Sequence, residues 1–175
     1  GGKAQQITTN AAYDSTPFWS PDGQSIIFSS YREKSKDIYR VSAKGGAPER
    51  LTFHPGHETP MAVLKDGSIL FSASMQQDAQ YGDFPGNVQL YMVGPDGGKP
   101  LRVASLPVSH ISVNESADGV KILYEDYKGY EDALRKHHTS SVTRDIWMYT
   151  PSGSDKGFKI TGNGTFTKLS TFKGE

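Results

Sequence analysis

The stretch that decides the fold is WSPDGQSIIFSS, residues 19–30. Asp22-Gly23 is a tight-turn signal, because glycine accepts a positive φ at little cost. The residues Ile26-Ile27-Phe28 after the turn are continuously apolar, as expected of a strand buried on both faces. We therefore predict a hairpin in which strand a ends at Trp19 and strand b begins near Ile26.

The same hairpin pattern occurs three times along the chain. Asp-Gly pairs stand at Asp22-Gly23, Asp66-Gly67 and Asp118-Gly119, which are 44 and 52 residues apart. This spacing is close to the length of a four-stranded propeller blade. A β-sandwich is the ordinary alternative, but tandem repetition at blade length favours the propeller. Strands b recur as Ile69-Leu70-Phe71 and Ile122-Leu123-Tyr124.

Two further strands complete each repeat. Strand c is an apolar run that begins at Ile38, Leu90 and Ile146, and strand d is clearest as Glu49-Arg50-Leu51-Thr52. Turn residues interrupt the pattern too often for helices. The predicted fold class is all-β: a partial β-propeller of three four-stranded antiparallel blades plus the last strand of a preceding blade.

The phase of the repeat predicts the domain organisation. Residues 1–8 match the glycine-to-threonine segment at residues 45–52, so residues 1–10 are expected to end a preceding blade. The blades are assigned to residues 11–58, 59–108 and 109–175. Closed propellers usually have four to eight blades. We therefore expect the chain to be a fragment of one propeller domain, with residues 5–8 paired as an outer strand.

Composition narrows the function classes. Nineteen basic and 19 acidic residues cancel, which disfavours a nucleic-acid partner. No apolar stretch approaches the length of a membrane span. Cysteine is absent, so neither a disulfide framework nor thiolate chemistry is available. No nucleotide-binding, metallopeptidase or nucleophile-elbow motif occurs, so we predict no cofactor, no metal and no catalytic residue in this chain.

The loops between strands b and c lengthen along the chain, which marks one face of the scaffold for binding. The two longer loops, residues 74–87 and 125–144, carry aromatic and charged side chains. The long c–d turn at residues 151–165 decorates the opposite face, and its role stays open. The predicted binding-face residues are Tyr81, Phe84, Tyr130, Arg135, His137 and His138.

Some of the polar and aromatic residues permit a second interpretation. His137-His138 is a tempting metal pair, but adjacent histidines diverge in a strand or a helix. His54 and His57 stand beside Glu58, where a metal site is conceivable and a polar loop explains the residues equally well. Trp19 and Trp147 lie within strand patterns, so we predict core positions for both.

The motifs also resemble known families. Trp19 to Gly23, with Asp37-Ile38-Tyr39 and the ending at Thr52, resembles the TolB-type propeller repeat. FSASMQQ (residues 71–77) and RKHHTSSVTRDIW (residues 135–147) resemble the amino-terminal propeller of tricorn-type serine peptidases of the Bacteroidetes form. The resemblance covers essentially the whole chain. It implies a longer, exported or periplasmic peptidase of the carboxy-terminal processing class, whose PDZ and catalytic domains lie elsewhere.

Two functions follow from this resemblance. The first is a non-catalytic propeller that admits or positions peptide substrates, or that holds domains of a tricorn-like peptidase together. The alternative is a TolB-like protein-interaction scaffold of the bacterial envelope. The implied partners are the remaining blades and catalytic domains of the parent chain and a peptide or protein substrate, with a homo-oligomer as an open alternative.

Overall fold

The computed structural model describes residues 2–74, 88–104, 108–126, 146–151 and 164–169. These residues form three four-stranded sheets, each antiparallel with its strands paired in chain order. The first sheet comprises β1 (Asp14–Trp19), β2 (Ser25–Ser30), β3 (Asp37–Ser42) and β4 (Glu49–Arg50). The second comprises β5 (Glu58–Val63), β6 (Ile69–Ala73), β7 (Gln89–Gly94) and β8 (Gly97–Ala104). The third comprises β9 (Val108–Ser116), β10 (Gly119–Asp126), β11 (Ile146–Pro151) and β12 (Gly164–Lys168).

The Asp-Gly turns lie in equivalent a–b hairpins, as predicted. Gly23, Gly67 and Gly119 have φ values of 68°, 85° and 105°, which explains why glycine stands at each position. The aspartate side chains of the first two turns close them: Asp22 accepts the Gln24 amide at 3.0 Å, and Asp66 accepts the Ser68 amide at 2.8 Å. The predicted all-β fold of three four-stranded antiparallel blades is therefore confirmed.

The core lies between neighbouring sheets. Strand β6 is buried along its whole length and faces both ways. Ile69 and Phe71 pack against Ile27, Ile38 and Leu51 of the first sheet in one cluster. Leu70 packs in another cluster with apolar residues of the third sheet. Burying each such side chain stabilises the fold by about 1.5–3 kcal/mol. Strand β6 therefore contributes to both interfaces. We call the interface of the first and second sheets the first junction, and that of the second and third sheets the second junction.

The outward face of the third sheet differs from the same face of the other two. Leu123 is 38% exposed, although it stands at the strand b position where Ile27 and Leu70 are buried. Leu169 is 52% exposed, although its amide bonds the Ile146 carbonyl as the Leu51 amide bonds Ile38. The three sheets thus form an open row, in which the third presents apolar side chains to solvent.

Two segments at or beside the first sheet test expectations from the sequence. Residues 2–10 form no strand in the structure, and the outer-strand pairing of residues 5–8 stays a prediction. Ile7 instead packs against the buried Phe28 and Tyr39. The core position predicted for Trp19 is wrong, because this last residue of β1 lies beside the turn and is 63% exposed.

The core position predicted for Trp147 is met only in part, because this residue is partly buried. Its side chain packs against the cluster between the second and third sheets, and its ring stacks on Tyr124 at 6.4 Å between centroids. No helix among the described residues is long and apolar enough to cross a membrane.

Candidate binding surface at the first junction

The loops at one end of the first two sheets carry exposed aromatic side chains. Residues 31–36 join β2 to β3, and residues 51–57 join β4 to β5. The Tyr31 and His57 rings lie 5.6 Å apart, and Phe53 in the same loop as His57 is 70% exposed. We call Tyr31, Phe53 and His57 the aromatic rim. It lies on the face that bears the b–c loops, which the sequence marked for binding.

Arg50 anchors the rim from below. Its guanidinium donates to Asp37 Oδ2 at 2.9 Å and to the Thr52 carbonyl at 2.8 Å. The same group lies 4.8 Å from the centre of the Phe53 ring, within cation–π range. Asp37 is completely buried, so this ion pair is shielded from water more than a surface pair is. The arrangement holds an exposed phenyl ring over a fixed positive charge.

Glu58 lies beneath the rim and is completely buried at the start of β5. Its amide donates to the Lys36 carbonyl at 2.8 Å, which joins the second sheet to the first. Its carboxyl Oε2 bonds the Thr52 hydroxyl, whose oxygen also accepts the Ile38 amide at 2.9 Å. Carboxyl Oε1 is buried and has no hydrogen-bond partner among the described residues. One acidic group is thus held between two sheets with half of its hydrogen-bonding capacity unused.

The environment favours the neutral form of Glu58. Burial raises the pKa of this carboxyl to about 7, since a charge without water is costly. The Thr52 hydrogen bond and the Arg50 charge lower the pKa, and the nearby Asp37 charge raises it. Lys36, whose ammonium donates to Thr59 at 2.9 Å, has a pKa lowered by its partial burial.

The predicted metal alternative is not supported by the placement of its residues. His54 Nδ1 accepts the Gly56 amide at 3.0 Å, so that nitrogen is engaged in the loop. His57 faces Tyr31, and Glu58 turns inward to Thr52. Within the described ranges, no group of three or more histidine, aspartate or glutamate side chains is placed to hold a metal ion.

The six binding-face residues predicted from the sequence fall outside the described residues. They are Tyr81, Phe84, Tyr130, Arg135, His137 and His138. The sequence interpretation missed Asp37, Arg50 and Thr52, which it treated only as strand residues. The acid that precedes a proline by two or three residues in YDSTP (13–17) and HETP (57–60) marks Asp14 and Glu58 instead. In the structure these acids open β1 and β5, and each meets a polar partner, Arg32 or Thr52.

The hydroxyl–carboxyl pair beneath the rim is not placed to act on a substrate. Nucleophilic catalysis needs a hydroxyl and a base within reach of a substrate. Thr52 and Glu58 form a hydroxyl–carboxyl pair, yet they are 1% and 0% exposed, so no substrate reaches them. The exposed Phe53 ring above the Arg50 guanidinium, with Tyr31 and His57 beside each other, instead offers flat apolar contacts of the kind found at interfaces.

The opposite end of the same junction is held together by charged groups. A cleft of about 260 Å³ lies between the turns of the first two sheets, with Arg40 on its wall. Arg40 donates to Glu49, to Asp96 and to the Pro95 carbonyl at 2.7–3.2 Å. These bonds use the guanidinium to join the sheets. The rim end therefore carries the better candidate for a binding surface.

The class of protein is set by this geometry: successive four-stranded blades that pack face to face, with loops gathered at one end, are those of a β-propeller. The sequence of the chain matches the family model of the tricorn protease N-terminal β-propeller domain over residues 1–172. The chain belongs to this family.

Individual proteins resemble the chain in sequence or in fold. A putative tricorn protease homolog 2 of Streptomyces coelicolor is 24% identical over 151 residues, which are 85% of this chain and 13% of the relative. The crystal structure of TolB from Acinetobacter baumannii superposes with a TM-score of 0.60 at 24% identity, covering 93% of this chain and 33% of that one. The crystal structure of the tricorn protease gives 0.59 at 21% identity, covering 94% and 15%. The chain thus spans a minor part of each.

Proposed function

We propose that this chain is a non-catalytic propeller segment of a tricorn-like serine peptidase. In this role it admits or positions peptide substrates, or it holds the domains of the peptidase together. The family membership supports the peptidase context. The observation that carries the proposal is the outward face of the third sheet.

That face has the pattern of a junction. Leu123 and Leu169 correspond to Leu70 and Val103 of the second sheet, which are 0% and 1% exposed against the third sheet. Exposed apolar side chains at positions otherwise used for packing indicate an interaction surface. We infer that a further sheet of the same kind packs here in the longer peptidase. The chain then contributes structure to a larger propeller.

Mutation of this face tests the structural part of the proposal. In the full-length protein that carries this segment, Leu123→Asp and Leu169→Asp are expected to weaken folding and peptide hydrolysis together. Leu101→Asp is the matched control, since Leu101 is 53% exposed on the outer strand of the second sheet. If all three variants behave alike, the outward face is ordinary surface and the proposal fails.

The functional part concerns the end of the propeller that carries the rim. We propose that the rim and the loops at residues 74–87 and 125–144 contact substrate or a neighbouring domain, through Tyr81, Phe84, Tyr130, Arg135, His137 and His138. The purified 175-residue chain is expected to show no turnover of a mixed peptide library. Turnover that a single Ser→Ala change abolishes would contradict the non-catalytic role.

Variants at the two ends of the first sheet, compared in the full-length protein, test whether the rim end is the binding surface. Tyr31→Ala with Phe53→Ala, or shortening of both loops, is expected to raise KM for peptides or to impair assembly. Trp19→Ala is the matched control, because this exposed ring lies at the other end of the first sheet. Unchanged hydrolysis and assembly after these changes would exclude this end. Loss of a protein partner with hydrolysis unaltered would instead favour the TolB-like scaffold.

The same family context leads us to propose that the longer protein is exported or periplasmic. Fractionation of cells that express the full-length protein tests this. Recovery with periplasmic or extracellular markers is expected, and recovery only with cytoplasmic markers would refute it.

A further inference from the structure

The first junction contains a buried acid that the proposed function does not use. Glu58 is 0% exposed between two sheets, and its Oε1 has no hydrogen-bond partner among the described residues. A buried carboxylate oxygen without a donor costs several kcal/mol, whereas a neutral carboxyl costs much less. The geometry therefore distinguishes sharply between the two protonation states of this side chain.

The two charges nearest Glu58 act in opposite directions, since Asp37 raises the pKa of the carboxyl and Arg50 lowers it. From the first sheet, Asp37 and Arg50 face it, and these two form an ion pair at 2.9 Å. The Lys36 ammonium is turned to Thr59 rather than to the carboxyl. From its own loop come the titratable side chains of His54 and His57. When Glu58 is ionised, two buried carboxylates share one guanidinium, so retention of one proton balances the charge.

The second junction provides an internal reference. The Val108 amide donates to the Val88 carbonyl at 3.1 Å, in the same place as the bond from Glu58 to Lys36. Val108 is 4% exposed and lies in an apolar cluster. The backbone arrangement is thus the same, and of these two equivalent positions only Glu58 carries a group that titrates.

We propose that Glu58 is a proton-operated latch between the first two sheets, which sets the position of the aromatic rim. In the neutral state the carboxyl stays between the sheets and bonds Thr52. In the ionised state it turns toward water and displaces residues 53–57, including Phe53 and His57. The balance is one proton, released to solvent when the latch opens and taken up when it closes.

The packing of residues 53–57 couples the position of Glu58 to that of the rim. Gly56 lies so close to the second sheet that a Cβ there would stand 2.8 Å from the Ser74 carbonyl oxygen. Arg50 holds Phe53 from the other side. Displacement of Glu58 therefore cannot be absorbed within the loop without lifting it from Ser74. Rim geometry and protonation are coupled by packing.

Backbone amide hydrogen exchange in the intact chain tests the latch. Rates are measured by NMR at pH 5.5 and pH 8.5 and corrected for the intrinsic pH dependence of exchange. Protection of the Glu58 and Ile38 amides is expected to fall on the order of tenfold at the higher pH. Protection of the Val108 amide is expected to be unchanged. Equal behaviour of the two junctions would overturn the proposal.

A variant and a cation control distinguish the latch from a permanently neutral acid and from a metal site. Glu58→Gln keeps the shape and cannot ionise, so its Ile38 amide is expected to lose the pH dependence. Should that variant fold poorly, direct titration of the Glu58 carboxyl carbon in the natural chain decides, and a midpoint below pH 5 would refute the latch. Stabilisation at pH 8.5 by CaCl₂ that Glu58→Gln abolishes would point to a cation site and also overturn it.

Discussion

The two junctions between the three sheets share a backbone frame and differ in their side chains. In each, the first residue of strand a donates its amide to the carbonyl before strand c: Glu58 to Lys36 at 2.8 Å, and Val108 to Val88 at 3.1 Å. The first junction then places an acid at this position, and the second places a valine. The interlock between blades thus depends on the main chain, which leaves this position open to sequence change.

The neighbouring positions follow the same division. Asp37 at the start of β3 corresponds to Gln89 at the start of β7, and Thr52 corresponds to Ala104. Asp37, Thr52 and Glu58 form the polar cluster of the first junction. Both of its acids are therefore replaced by uncharged residues at the second junction. Under the latch proposal the acid at this position makes the first junction sensitive to pH, whereas the valine at the equivalent position of the second junction cannot ionise.

The largest expected effect comes from removing the side chains by which β6 joins both junctions. Phe71→Ala is expected to cost about 3–5 kcal/mol of the free energy of unfolding and Leu70→Ala about 2–5 kcal/mol, because each leaves a cavity. Leu123→Ala, at the equivalent but exposed position, is expected to cost less than about 1 kcal/mol. Urea denaturation measures all three. A large cost for Leu123 would mean that the third sheet is covered within this chain.

A glutamate placed at the equivalent position of the second junction tests whether the apolar surroundings there make ionisation costly. Val108→Glu is expected to lower the free energy of unfolding by about 3 kcal/mol at pH 8, because the buried carboxyl must ionise among apolar residues at that pH. The loss is expected to be smaller at pH 5, where the carboxyl can stay neutral. Val108→Gln controls for size. Thermal unfolding followed by circular dichroism at both pH values gives the result. A loss that does not depend on pH would show that the new carboxyl escapes to solvent.

A smaller effect is expected where Gly97 of the second sheet approaches Leu51 at the first junction. Gly97 has a φ of 80°, and a Cβ there would overlap the Leu51 carbonyl oxygen. Gly98 has a φ of 110° with open space around it, so it is a matched control for backbone strain alone. Gly97→Ala is expected to cost roughly 2 kcal/mol and Gly98→Ala roughly 1 kcal/mol. Equal melting temperatures of the two variants would show that the close approach of Gly97 to Leu51 does not limit stability.

The smallest expected effect lies at the charged end of the first junction. Asp96 is 86% exposed at the side chain, although its carboxylate is 3.2 Å from Arg40. Asp96→Ala is expected to change the free energy of unfolding by at most about 0.5 kcal/mol, because water screens the pair. The same measurement in about 1 M NaCl should reduce even this difference. A loss above about 1 kcal/mol would mean that this end contributes more than a screened surface pair can.

Much of the fold could be predicted from local signals. Asp22-Gly23 and its two repeats specify hairpins, and the apolar run at Ile69 specifies a strand buried on both sides. These features depend on residues close together in sequence, so a single pattern reveals them. The exposure of Trp19 was not predictable in this way, because it depends on which neighbour covers the end of a strand.

The polar cluster was less accessible to sequence reasoning. Asp37, Thr52 and Glu58 stand on three separate segments of the chain, and only packing between two sheets brings them together. Each is an ordinary residue in its own segment. Loop length, which the sequence does show, instead directed attention to the longer b–c loops, whose residues 75–87 and 127–145 the structure does not describe.

The pH dependence of unfolding tests the central claim about the first junction most directly. The pKa of Glu58 is raised from 4.5 to about 7, so its contribution to stability is complete below about pH 4.5 and is lost as pH rises through 7. Relative to Glu58→Gln, the free energy of unfolding of the natural chain is therefore expected to fall by about 2–3 kcal/mol between pH 5 and pH 8.5. A difference between the two proteins that stays constant with pH, or one that rises, would contradict the account.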